Sequence, residues 1–185
     1  MNVEIINNIL GIGTLLLQII IITFLILVLY TKKSGKKFES LDGVWAFIKN
    51  NALILAFLIV LFGTLLSLYY SEVIGYQTCN LCWLQRVLIY PQVLILGIAI
   101  WKKQKDIFDY LIGLNIIGLI IAIYNHYLQI SGKLGYCGSG GVACNKLYVF
   151  EFGYITIPMM AITLFISVIL LTYVYKKTYS GKNKY

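Results

Sequence analysis

The chain has 185 residues, 60% of them hydrophobic, and a mean hydropathy of +0.85. One soluble domain of this size cannot bury so much apolar surface, so the composition excludes an ordinary soluble protein and indicates a membrane protein. The formal net charge of +8 does not indicate a nucleic-acid partner, because the lysines fall in short clusters between apolar segments and not along one face.

Five apolar segments are each long enough to cross about 30 Å of hydrocarbon as a helix that rises about 1.5 Å per residue. In chain order they are residues 5–30, 52–70, 83–101, 107–130 and 152–175. The first follows the acidic start MNVE and is longer than the apolar stretch of a cleavable signal peptide, so we expect it to be retained. We therefore predict an all-α polytopic membrane protein.

The connections between the segments predict two parts. Short loops join segments two to five, whereas a Lys-rich linker separates them from the first segment. We expect residues 49–185 to form a four-helix transmembrane bundle. Residues 1–48 would add one N-terminal transmembrane helix and a Lys-rich cytoplasmic linker.

The positions of the lysines predict the orientation. They are concentrated in residues 31–51, 102–105 and 176–184, and these regions alternate with loops 71–82 and 131–151, which together hold only two lysines. Lys-rich connections of membrane proteins face the cytoplasm. We therefore expect a multi-pass protein of a bacterial cytoplasmic (inner) membrane, with its N-terminus outside and its C-terminus in the cytoplasm.

All four cysteines lie in or beside the two loops predicted to be extracytoplasmic. Cys79 and Cys82 stand in TCNLCWLQR, and Cys137 and Cys144 stand in YCGSGGVACNK. This distribution suits a compartment in which disulfides persist. Two structural disulfides are one interpretation. A four-cysteine zinc site is another, but it would favour a second closely spaced pair, so we predict no metal.

A cation and a histidine accompany the Cys-x-x-Cys pair. The N-terminus of a helix stabilises a thiolate, and Arg86, the only arginine of the chain, comes four residues after Cys82 on the same helix face. A charge at membrane depth is a candidate functional group, although Arg86 could also extend to the interface. His126, the only histidine, lies near the end of the fourth segment at a similar depth. It could be an anchor, or a donor to a carbonyl oxygen beside Arg86.

These residues carry a resemblance to a known family. The string CNLCWLQR resembles the C-x-x-C-x-x-x-R signature of the disulfide bond formation protein B family (DsbB and the related Gram-positive BdbC proteins), and HYLQ resembles the family's His followed by Leu-Gln. The resemblance extends from near Trp45 to the C-terminal tail. The first segment is additional to the four helices of the family.

The resemblance implies a membrane thiol:quinone oxidoreductase that reoxidises an extracytoplasmic thioredoxin-like, DsbA-like thiol oxidase. In that scheme the partner reduces the Cys137–Cys144 disulfide, and the electrons pass to Cys79 and Cys82. Cys82 then passes them to a membrane quinone, ubiquinone or menaquinone, beside Arg86 and His126.

Two rival interpretations remain. In vitamin-K-epoxide-reductase-like enzymes the Cys-x-x-Cys typically follows the loop cysteines, whereas here it precedes them. A non-catalytic membrane protein with two structural disulfides would show cysteines that resist exchange with a thioredoxin-like partner.

Overall fold

The computed structural model describes residues 3–34, 39–102, 104, 107–133 and 143–180. Within these ranges five α-helices occur, together with a π-helical turn at Tyr69–Val73, and no β-strand is formed. The helices are α1 (Val3–Ser34), α2 (Glu39–Leu68), α3 (Asn80–Lys102), α4 (Phe108–Ser131) and α5 (Ile157–Ser180). The predicted all-α class is confirmed.

Each of the five helices contains a stretch long and apolar enough to cross a membrane, with mean hydropathies between 1.5 and 2.9. Large apolar side chains remain exposed along all of them, as expected for surfaces that face lipid. The chain is therefore a multi-pass membrane protein, built as a four-helix bundle with one additional N-terminal helix.

The core of the bundle is formed by α2, α3, α4 and α5. Ala56, Val60, Leu96, Leu111 and Phe165 are at most 1% exposed and belong to one cluster. The ring of Phe165 rests on Gly118 of α4, where an added Cβ would overlap it. Close approach of two helices over a small residue is the usual way to gain contact area inside a membrane.

The last helix begins later than hydropathy predicts. The apolar segment was expected from residue 152, but Phe152 and Gly153 have positive φ angles of 51° and 79°, and a tight turn joins Glu151 to Ile155. Thr156 then caps the helix, because its Oγ1 accepts the backbone N–H of Met159 at 3.3 Å. Apolar composition alone does not distinguish this turn from a helix.

We call one end of the bundle the cysteine end. Here α2 and α4 finish, α3 and α5 begin, and Cys79 and Cys82 stand at the start of α3. The N-terminal half of α1 lies beside the same end, where Asn7 Oδ1 accepts a 2.9 Å hydrogen bond from the hydroxyl of Tyr70.

Candidate active site

The Cys-x-x-Cys pair forms the N-terminus of α3. The carbonyl oxygen of Cys79 accepts the backbone N–H of Trp83 at 3.0 Å, which makes Cys79 the N-cap residue. Its Sγ accepts the backbone N–H of Cys82 at 3.4 Å, as a serine or aspartate side chain does at other helix starts. The spacing of the motif therefore fits the geometry of a helix cap.

The same spacing brings the two sulfur atoms together. Cys79 and Cys82 are free thiols whose Sγ atoms share a hydrogen bond at 2.9 Å. That hydrogen bond, together with burial, raises the pKa of the Cys79 thiol. Cys79 is 4% exposed, whereas Cys82 is partly exposed, so the two sulfurs are not equivalent in access.

The second cysteine loop packs onto this helix start. Cys144 is disulfide-bonded and 2% exposed, and it shares a small apolar cluster with Cys79 and Leu128. The loop is tied to α4, since Gln129 Nε2 donates to the carbonyl oxygen of Lys146 at 3.2 Å. Cys137 lies outside the described residues, so its place in the site stays a prediction.

Arg86 lies inside the bundle, one turn below Cys82. It is 6% exposed, and its Nε and Nη2 donate to the Oγ and the carbonyl oxygen of Ser67 on α2, at 2.9 and 2.8 Å. The guanidinium carbon stands 5.3 Å from the centre of the Trp83 ring. Within the described part of the chain no carboxylate pairs with it, so its positive charge is available to a ligand.

A cavity of about 410 Å³ opens beside these groups at the cysteine end. Cys79, Cys82, Gln85, Arg86, Asn125 and Cys144 contribute to its lining. Three buried polar atoms of lining residues have no hydrogen-bond partner among the residues described: Gln85 Nε2, Asn125 Oδ1 and Tyr148 Oη. Buried polar atoms are almost always paired, so these three indicate a site that a polar ligand completes.

His126 does not face this cavity in the way the sequence suggested. It is absent from the lining, and its Nδ1 lies 2.9 Å from Oγ1 of Thr156, the N-cap of α5. The lining residues that α4 supplies are Asn125 and Gln129. A direct contact between His126 and a ligand beside Arg86 therefore stays a prediction.

Asn125 is the site residue that the sequence analysis missed. It is fully buried, and its Nδ2 lies 3.6 Å from the Sγ of Cys82. The available signal was its spacing from Gln129: two amides four residues apart share one face of a helix that is otherwise mostly apolar there.

Comparison with known proteins identifies the family. The family model of disulfide bond formation protein DsbB matches residues 49–175, which leaves α1 outside the match. The SPbeta prophage-derived disulfide bond formation protein B of Bacillus subtilis is 40% identical over 109 residues, which cover 58% of this chain and 74% of that protein.

Two other relatives match this chain over a larger share of their own length. A probable disulfide formation protein of Chlamydia caviae is 41% identical over 66% of this chain and 89% of its own length. Disulfide bond formation protein C of B. subtilis is 42% identical over 62% of this chain and 85% of its own length. No solved structure is significantly similar to the chain. The chain thus belongs to the DsbB family of disulfide bond formation proteins, whose chemistry is thiol–disulfide oxidoreduction.

Proposed function

We propose that the protein is a thiol:quinone oxidoreductase that reoxidises an extracytoplasmic thioredoxin-like, DsbA-like thiol oxidase. The observation that carries the proposal is that Cys82 and Arg86 line one cavity at membrane depth while Cys144 packs against Cys79. A thiol pair, a second cysteine loop and a buried cation are thus together where a membrane-soluble oxidant can reach them.

The thiol–disulfide exchange steps need no reagent besides the reduced partner and the cysteines of this chain. A thiolate of the reduced partner would open the Cys137–Cys144 disulfide, and its second thiol would displace the enzyme sulfur, which leaves a partner disulfide and two enzyme thiols. The same exchange between this pair and a Cys79–Cys82 disulfide would restore the loop disulfide. Cys79 and Cys82 would then hold two electrons and two protons as thiols.

The residues around the cavity fit a quinone. A quinone presents two carbonyl oxygens on a flat apolar ring, and when bound it supplies a sink for two electrons and two protons. Gln85 Nε2 is an unpaired donor among the described residues that line the cavity, and the guanidinium of Arg86 is a cationic one. The rest of the lining is mainly apolar, as an aromatic ring requires.

Each of these residues has a separate part in the proposal. Cys82, the more exposed thiol, is the sulfur that donates electrons into the cavity. Arg86 stabilises negative charge at that sulfur or at a carbonyl oxygen. His126 is proposed to hold or protonate a carbonyl oxygen of the quinone; its contact with Thr156 places it at the start of α5, where the next two residues, Ile157 and Pro158, line the cavity.

The proposed placement in the cell follows from the lysine distribution. We propose that the cysteine end faces the extracytoplasmic side of a bacterial cytoplasmic membrane, with the C-terminus in the cytoplasm. Residues 49–185 would form the catalytic bundle and residues 1–48 the additional helix and linker. The linker is shorter than the sequence predicts, because α2 already begins at Glu39 and the boundary falls inside that helix. A thioredoxin-like partner would then reach the Cys144 loop from outside.

Purified protein in detergent tests the proposal. Reduced thioredoxin-like oxidase and a short-chain ubiquinone or menaquinone are supplied, and quinone absorbance is followed for wild type, Cys82→Ser, Arg86→Ala and the control Lys102→Ala. We expect no turnover with Cys82→Ser, about a hundredfold loss with Arg86→Ala, and normal turnover with Lys102→Ala, which alters the far end of α3. Cysteines that stay locked in disulfides with unchanged quinone would identify a structural role instead.

A further inference from the structure

The additional helix α1 supplies one wall of the cavity. Residues from three turns of its N-terminal half line the space, and they share one side of the helix: Ile9, Leu10, Gly13, Thr14 and Leu17. Ile12 and Leu16, on the adjacent side of the helix, are 49% and 54% exposed. The cavity is therefore completed by a segment that lies outside the region shared with the family model.

Polar contacts fix α1 in this position. Gln18 uses both ends of its amide: Nε2 donates to Thr163 Oγ1 at 2.9 Å, and Oε1 accepts the Tyr154 hydroxyl at 2.7 Å. With the bond from Tyr70 to Asn7, this ties α1 to the end of α2 and to the start of α5. Inside a membrane a polar side chain without such partners is costly, so these bonds select one docking position.

Two glycines of α1 have different surroundings. A Cβ built at Gly11 would lie 3.1 Å from Cβ of Glu151 and 3.2 Å from Cε2 of Phe152, so this glycine permits close packing. A Cβ built at Gly13 meets nothing within 4 Å, although Gly13 lines the cavity. Gly13 is thus a gap in the wall and not a packing contact.

The gap lies where the cavity opens to the outside of the bundle. Gly13 and Ile9 of α1 and Phe62 of α2 all line the cavity, and all three are exposed, Ile9 by 61% and Phe62 by 59%. Exposed residues of two candidate membrane-spanning helices thus line one cavity. This is the pattern expected of a lateral opening toward lipid.

We propose that α1 and α2 frame a lateral portal and that the absent side chain of Gly13 leaves room for the long apolar chain of a lipid-soluble quinone. The inference rests on the proposed function. It adds the route by which a quinone with an isoprenoid chain enters, and it assigns the selection for that chain to a helix outside the family bundle.

Filling the gap provides the test, because a larger side chain at residue 13 enters open space. Gly13→Phe is compared with wild type and with Ile12→Phe, which places the same ring one residue away on the lipid-facing side. Each protein is assayed with a long-chain isoprenoid quinone and with the same ring lacking the chain. A readout independent of turnover is the quinone concentration that half-protects Cys82 from alkylation by N-ethylmaleimide in a Cys79→Ser background, where quinone cannot convert Cys82 into a disulfide with Cys79.

We expect Gly13→Phe to raise the KM and the half-protection concentration for the long-chain quinone by about tenfold or more, with much smaller changes for the chainless ring. Exchange of the cysteines with the thioredoxin-like partner, measured without quinone, should remain at the wild-type rate. Ile12→Phe should match wild type in all assays.

The outcomes separate this inference from the function on which it rests. If wild type reduces no quinone, the proposed function fails. If wild type reduces quinone but Gly13→Phe behaves as wild type, or weakens both quinones equally, the portal is refuted and the function stands. A disulfide cross-link between Gln18→Cys and Thr163→Cys, in a background with the four native cysteines changed to serine, checks that α1 docks as described. Absence of the cross-link would refute the position of α1 as a wall of the cavity.

Discussion

The guanidinium of Arg86 is held by a single residue of the neighbouring helix, Ser67, through one bond to its hydroxyl and one to its carbonyl oxygen. Two bonds from one residue fix the plane of the guanidinium while leaving its other N–H groups without acceptors in the described part of the chain. The charge is thus oriented without being neutralised.

Replacing Ser67 with alanine removes one of these bonds and keeps the backbone one. A hydrogen bond to a charged group contributes about 1.5–3 kcal/mol, so we expect kcat/KM for quinone to fall by about tenfold, less than for Arg86→Ala. Steady-state quinone reduction checks this. Ser167→Ala is the matched control, since Ser167 is buried and its hydroxyl donates to the Thr163 carbonyl oxygen of the same helix; an equal loss in both variants would refute the orienting role of Ser67.

The raised pKa of Cys79 predicts a specific alkylation pattern. An ordinary cysteine has a pKa of about 8.5 and is largely thiolate above pH 9, whereas Cys79 should remain a thiol there. Because only the thiolate reacts, alkylation of Cys79 should begin at a higher pH than in the denatured chain. Peptide mass spectrometry after brief N-ethylmaleimide treatment between pH 6 and 10 measures this.

The cause of that shift can be tested separately. Cys82→Ala removes the sulfur that shares the hydrogen bond with Cys79, while the surrounding apolar packing persists. Alkylation of Cys79 should then move to lower pH, although not to the denatured value, because burial still disfavours the charge. A profile unchanged by Cys82→Ala would show that burial alone accounts for the shift.

Asn125 and His126 are neighbours with different surroundings, which makes a direct comparison possible. Asn125 lies 3.6 Å from Cys82 and lines the cavity, whereas His126 contacts Thr156. We expect Asn125→Ala to lower kcat for quinone reduction by about tenfold and His126→Ala to lower it less. Single-turnover oxidation of Cys79 and Cys82 by quinone measures the step itself. A larger loss with His126→Ala would indicate that the histidine reaches the ligand directly.

The close packing of Gly118 against Phe165 predicts a stability effect that is independent of the site. Gly118→Ala should lower the free energy of unfolding by about 1–3 kcal/mol, because the new methyl group overlaps a fully buried ring. Gly113→Ala in the same helix is the control, since its Cβ meets nothing within 4 Å. Thermal unfolding in detergent checks both. Combining Gly118→Ala with Phe165→Leu should recover part of the loss if the overlap is the cause.

The sequence was sufficient for some of these features and not for others. Hydropathy located all five helices, and the spacing of Cys79, Cys82 and Arg86 placed them on one helix start. The position of α1 depends on pairs such as Gln18 and Thr163, which are 145 residues apart, and hydropathy carries no information on such pairs. The start of α5 was also missed, since the turn before it is as apolar as a helix.

The sequence likewise could not predict that Asn125 lines the cavity while His126 contacts Thr156. Adjacent residues of a helix point about 100° apart, so depth in the membrane does not say which of the two faces the thiols. Depth and the resemblance of HYLQ to the family's His-Leu-Gln made His126 the candidate. The packing of α4 against α3 and α5 turns Asn125 inward, and this rotation is set by contacts such as Gly118 with Phe165.

The sulfur of Cys79 belongs to the proposed redox pair and also caps the N-terminus of α3. As the N-cap side chain of α3 it accepts the amide hydrogen of Cys82, and it can do so only while it stays above the first turn. In the proposed reaction, exchange of that sulfur with the neighbouring loop would take the acceptor away from the Cys82 amide and loosen the first turn. We therefore expect amide hydrogen exchange at Cys82 to rise while the cysteines exchange and to fall when the cap is restored.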